Sequence, residues 1–138
     1  MNLPPKPALP KPVRGDIFSA RLDPGEGSEQ AGTRPVVVVS RDSINANSPV
    51  VVVVPVTDAS NVKRTYPSHV FLPKGSGGLK VDSVAKTEQI RAIQVSRLVG
   101  YYGKLEKDAV ARIEEAIRVT LALWSQSTPK PRSRRLPL

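Results

Sequence analysis

The chain has 138 residues, within the range for one domain with a single modest core, and no apolar run is long enough to cross a bilayer. It contains no cysteine, which excludes disulfides, thiolate metal sites and cysteine nucleophiles, and a single histidine, His69, which argues against a catalytic zinc or a two-histidine nuclease. The formal charge is +9, but residues 1–12 carry +2 and residues 125–138 carry +4 with no acid in either segment, so the part between is only mildly basic.

Residues 1–12 hold five prolines and residues 126–138 mix Pro, Ser and Arg without periodicity, so both read as disordered tails around one domain at 13–125. The start lacks the continuous apolar stretch of a secretory signal, and a cytoplasmic protein is expected. A first strand is expected over 14–22, followed by a Gly-rich polar loop at 23–33. Two valine runs, 35–40 and 49–56, fit strands buried on both faces better than helices. Further strands are expected at 66–72 and 81–93, joined by a flexible PKGSGG loop, and within 97–105. The period then changes: Val110, Ile113, Ile117, Leu121 and Trp124 form one stripe of an amphipathic helix over 106–125, with Asp108–Arg112 and Glu114–Arg118 as i,i+4 pairs on the wet face. Strands followed by one helix predict a small antiparallel barrel or strongly bent sheet with the helix packed on it. Apolar strands on so small a chain also favour a homodimer.

Cofactor motifs fail. The glycines at 75, 77 and 78 precede a strand, not the helix that a phosphate-cradling loop needs, and the carboxylates are too scattered for a Mg or Ca site. What remains is polar side chains at the ends of very apolar strands. The 23–33 loop brings Ser28, Glu29 and Gln30, Arg34 precedes the first valine run, and Thr57 and Asp58 follow the second. Antiparallel pairing of the two runs would make Arg34 and Thr57 neighbours. From periodicity alone, a surface arginine and a strand-end hydroxyl is the simpler account. His69, in the apolar YPSHVFL stretch, reads as a strand-face residue.

The stretch RGDIFSARLDPGEGSEQAGTRPVVVVSRD, then PVTD at 55–58 and SVAKTEQIRAI at 83–93, resembles the MazF/PemK/Kid endoribonuclease toxins in content, order and spacing over about residues 14–124. The resemblance implies an SH3-like barrel of the MazF/CcdB type with a C-terminal helix, forming a homodimer that needs no metal or cofactor. It implies cleavage of single-stranded messenger RNA at short motifs, and neutralisation by an antitoxin whose acidic disordered tail occupies the same groove. Arg34 and Thr57 match the family's catalytic arginine and threonine, while Ser28, Glu29 and Gln30 of the signature loop and Glu88 and Gln89 of the EQ pair are the candidate RNA-contacting residues. The chemistry is coherent: the RNA's own 2′-hydroxyl can be the nucleophile, an arginine fork matches the charged phosphate, and a hydroxyl can hold it in line. Two other functions compete, a gyrase-binding toxin like CcdB, which should lack the Arg/Thr pair, and a noncatalytic SH3-like nucleic-acid-binding module.

Overall fold

The computed structural model describes residues 8–22, 26–27 and 32–123. The tails expected to be disordered lie outside these residues except for positions 8–12, where Pro12 is already buried.

Among the described residues, seven strands and two α-helices follow one another: β1 (Asp16–Arg21), β2 (Thr33–Val38), α1 (Asp42–Asn47), β3 (Val50–Asp58), β4 (His69–Leu72), β5 (Ser83–Lys86), β6 (Arg91–Gln94), β7 (Leu98–Lys104) and α2 (Lys107–Leu121). Every recorded strand pairing is antiparallel. The order across the sheet is β4-β5-β3-β2-β1-β7, with β6 also paired to β3. Nine residues long, β3 is the spine. One of its edges takes β2, and the other takes β6 along Val50–Val53 and β5 along Val56–Asp58.

That change of partner explains why 81–93 is not the single strand expected from its sequence. Strand β5 leaves β3, Thr87–Gln89 form a 3-10 turn, and β6 rejoins the same edge of β3 further back. The valine runs follow from burial on both faces. Val36, Val38, Val51 and Val53 pack with Phe18, Leu22 and Ile93 on one side, whereas Val37, Val54 and Val56 pack with Ile17, Leu72 and Ile113 on the other. Such strands need no polar alternation.

Helix α2 covers the second of these cores through Ala109, Ile113 and Ala116, flanked by Val110 and Ile117. Leu121, expected to pack with them, is instead 48% exposed in the last turn, beyond the edge of the core. The Asp108–Arg112 and Glu114–Arg118 pairs form at 3.5 and 3.9 Å, and Glu114 also meets Arg14 at 3.1 Å, tying the helix to the start of β1.

The class is the one expected, antiparallel β with a C-terminal helix, but the sheet is not closed into a barrel: β4 and β7 are its two ends and do not pair. Backbone of the β4–β5 connection sits against β7. A Cβ on Gly78 would stand 2.1 Å from the Tyr102 carbonyl oxygen, and one on Gly77 2.6 Å from Ile17 Cδ1. Only glycine permits this approach. The PKGSGG segment is therefore a packed hairpin connection and not the flexible one expected. Among the described residues, no helix is long and apolar enough to cross a membrane.

Candidate active site

Prolines shape the site. The β2–β3 ladder runs from Val38↔Val53 to Val36↔Pro55 and stops there. Pro55 and the next β2 residue, Pro35, both lack the N–H that would carry the pairing on. Past this point β3 pairs with β5 on its other edge, with Thr57 opposite Val84, while β2 remains on β1, with Arg34 opposite Ala20. Continuing the interrupted register by two residues brings Arg34 opposite Thr57 and, by strand alternation, onto the same face. The antiparallel pairing of the two valine runs expected from sequence is thus observed.

Arg34 and Thr57 both line a cavity of about 200 Å³ where the ladder stops. Thr57 is 6% exposed and Arg34 half-buried. Lys80, Val81 and Tyr102 also line the cavity, and the backbone of Gly77 and Gly78 lies close against Tyr102 and Gly103. These three escaped the sequence reading. The double glycine ahead of Leu79 and Lys80 was the available signal, but its meaning depends on a partner strand some 25 residues away.

The cavity joins two cations, Arg34 and Lys80, to one carboxylate, Asp58. Asp58 caps the 3-10 turn Ala59–Asn61, accepting the Ser60 N–H at 2.9 Å, and this backbone hydrogen bond holds its carboxyl below the usual carboxylate range. A carboxylate so held stays ionised and is a poor proton acceptor near neutral pH. The Ser83 hydroxyl donates to the Val81 carbonyl at 2.8 Å. Among the described residues, no three His, Asp or Glu side chains converge as metal ligands would.

Other residues singled out from sequence lie elsewhere. Ser28, Glu29 and Gln30 fall outside the described residues; on either side of them in the chain, Leu22 N–H donates to the Gly32 carbonyl at 2.9 Å and Arg21 pairs with Thr33. Glu88 and Gln89 stand on the Thr87–Gln89 turn and are not among the residues lining the cavity. Glu88 Oε2 is 3.0 Å from His69 Nε2. His69 opens β4 with its side chain 5% exposed and its ring edge-on to Tyr66, as a packed strand residue.

Comparison with known proteins identifies the family. Residues 13–121 match the family described as PemK-like, MazF-like toxin of type II toxin-antitoxin system. The chain is 43% identical over 117 residues to the endoribonuclease MazF9 of Mycobacterium tuberculosis, covering 81% of this chain and 98% of that protein. It is 39% identical over 110 residues to the endoribonuclease MazF of Staphylococcus epidermidis, covering 80% and 91%. The crystal structure of MazF from Deinococcus radiodurans superposes with a TM-score of 0.69 at 27% identity, covering 81% of this chain and 97% of that one. The chain belongs to the PemK-like, MazF-like toxins of type II toxin-antitoxin systems.

Proposed function

We propose that this chain is a toxin acting as a sequence-specific endoribonuclease, cutting single-stranded messenger RNA in the cytoplasm between Arg34 and Thr57 without a metal ion. The observation that carries the reading is the convergence of these two side chains, brought to one cavity by the proline-interrupted ladder. Its relatives are named endoribonucleases, which favours this activity over the gyrase-binding and noncatalytic alternatives. As a member of a toxin-antitoxin family it takes a cognate antitoxin as partner, and it acts as a homodimer, which the apolar strands of so small a chain favour.

In this mechanism the 2′-hydroxyl attacks the adjoining phosphorus and displaces the 5′-oxygen. Arg34 supplies fixed donors to the phosphate oxygens as charge accumulates, and the Thr57 hydroxyl orients the phosphate. Lys80 adds a second positive charge to the cavity lining. Asp58, held ionised, is unsuited to take the 2′ proton.

Incubating the purified protein with a long single-stranded RNA in EDTA tests the proposal. Cleavage at a short motif, giving 2′,3′-cyclic phosphate and free 5′-hydroxyl ends, is the expected result. Products bearing 5′-phosphates, or a requirement for added metal, would refute the mechanism, and intact RNA would refute the activity.

A further inference from the structure

The sheet face that carries Arg34 and Thr57 continues past them. Thr57 pairs with Val84 of β5, and Val84 pairs with Phe71 of β4, so the three residues stand in one row across three strands and on one face. Arg34 heads the same row by continuation of the β2–β3 register. One pleat along, Lys86 lies opposite His69 on this face and is half-buried.

Along the row the residues change from polar to apolar. Val84 is buried yet belongs, among the described residues, to neither of the two cores, and Phe71 is 51% exposed. The chain's other phenylalanine, Phe18, is fully buried. It is Val70 and Leu72, on the opposite face of β4, that enter the core under α2. Phe71 therefore presents to solvent a large aromatic side chain that the core does not use. Its backbone is held by Arg112 of α2, whose Nη1 donates to the Phe71 carbonyl at 3.0 Å.

A single exposed apolar residue is ordinary on a protein surface. This one is set apart by its register. Two strand spacings, about 10 Å, separate Phe71 from Thr57, too far to touch a phosphate held there and near enough for the base of a neighbouring nucleotide. A single strand binds where cations follow its backbone and an aromatic ring takes an unstacked base. The row offers both, with Arg34 at one end, Phe71 at the other and Lys86 alongside. Asp82, two residues before Val84, has its carboxylate engaged by the Lys74 N–H at 2.8 Å.

We propose that Phe71 is a stacking platform for the base of a nucleotide next to the one that is cut. The proposal rests on the RNA-cleaving reading above. Phe71 is a positioning residue: it holds the strand in place and takes no part in bond breaking. Because stacking tolerates any base, it adds affinity without choosing the sequence cut.

The test uses the full chain and a labelled single-stranded RNA carrying 2′-O-methyl groups throughout, which cannot be cut by 2′-hydroxyl attack, so binding is read separately from cleavage. Affinity is measured across a salt series for wild type, Phe71→Leu, Phe71→Tyr and Ile44→Ala, the last trimming another exposed apolar side chain, on α1 beyond the opposite end of β2. Phe71→Leu stays apolar and loses the ring face. It should weaken binding by at least about 5-fold, the lower end of what one lost base stack costs, with the slope of log affinity against log salt unchanged because no charge is removed. Phe71→Tyr and Ile44→Ala should bind as wild type. On cleavable RNA, Phe71→Leu should raise KM by a similar factor with kcat held.

Wild-type affinity in Phe71→Leu, alongside a wild type that cuts RNA, would overturn the proposal and leave the endoribonuclease reading standing. Equal weakening in Ile44→Ala would also overturn it, as a general effect of lost apolar surface. So would a change of particle mass by light scattering in Phe71→Leu, which would make Phe71 a contact between copies of the chain. Wild type that neither binds nor cuts RNA would sink the endoribonuclease reading, and this proposal with it.

Discussion

The Arg34–Thr57 cavity and the His69–Glu88 pair both gather polar side chains at strand ends, and they are built for opposite purposes. His69 is buried against Tyr66 with Nε2 on Glu88, and among the described residues its Nδ1 is buried without a partner. Beside it the Thr87 hydroxyl lies 2.7 Å from both the Ser68 carbonyl and the Thr120 hydroxyl, joining the 87–89 turn to α2. This region closes the fold. Around Arg34 the reverse happens, because two prolines end a ladder, the strands take different partners, and a polar space opens between them. Histidine and glutamate, the residue types with the stronger acid–base credentials, serve packing here, while the proposed site falls where backbone pairing fails.

The sharpest way to break this contrast is to remove the two side chains at the cavity. Arg34→Ala should reduce kcat by about 10²- to 10³-fold, the usual cost of losing a preorganised donor to a developing charge. Thr57→Val keeps the buried volume and removes the hydroxyl, so it should lower kcat more than it raises KM. Thermal melts should show both variants folded, since neither change deletes a core side chain. Normal cleavage by both would remove the site from this cavity.

Much of the frame was legible because it is periodic. The valine runs announced strands buried on both faces, and Ile113 and Ile117 announced the covered face of α2. The juxtaposition of Arg34 and Thr57 needed only the assumption that consecutive runs pair antiparallel. Features that depend on distant partners were not legible. The break at Thr87–Gln89 exists because β3 exchanges β5 for β6 along one edge, and nothing in SVAKTEQIRAI changes period there. Lys80 and Tyr102 line the cavity beside a close backbone approach of Gly78 to Tyr102 that a side chain on Gly78 would block.

A smaller effect tests the closed region. Glu88→Ala removes the hydrogen-bond partner of His69 Nε2 and should destabilise the fold by about 0.5–1.5 kcal/mol, the net worth of one such bond. Urea denaturation should show this loss, with kcat and KM unchanged for RNA. The family resemblance makes Glu88 a candidate RNA-contacting group, so the opposite pattern is informative: a raised KM at unchanged stability would assign the Glu88–Gln89 turn to substrate binding and dissolve the contrast with the cavity.

The smallest expected effect comes from Asp58, the carboxylate that lines a cavity proposed to hold an anion. Its hydrogen bond from Ser60 lowers its pKa below the ordinary 3.8, so the group remains negative at every pH where RNA cleavage would be assayed. Asp58→Asn keeps an oxygen to accept the Ser60 N–H and removes the charge. KM for RNA should fall slightly at low salt, and the gain should vanish at high salt, because the charge is solvent-screened. The stability consequence has a definite sign. A carboxylate with a lowered folded-state pKa stabilises the protein above the ordinary value, and that contribution is lost as pH falls through the lowered one. Wild type should therefore lose stability below about pH 4 more steeply than Asp58→Asn in parallel thermal melts. An acid limb identical in the two proteins would mean that the Ser60 hydrogen bond does not hold the carboxylate ionised. A KM that rises in the variant would show that Asp58 helps position the substrate and does not oppose its charge.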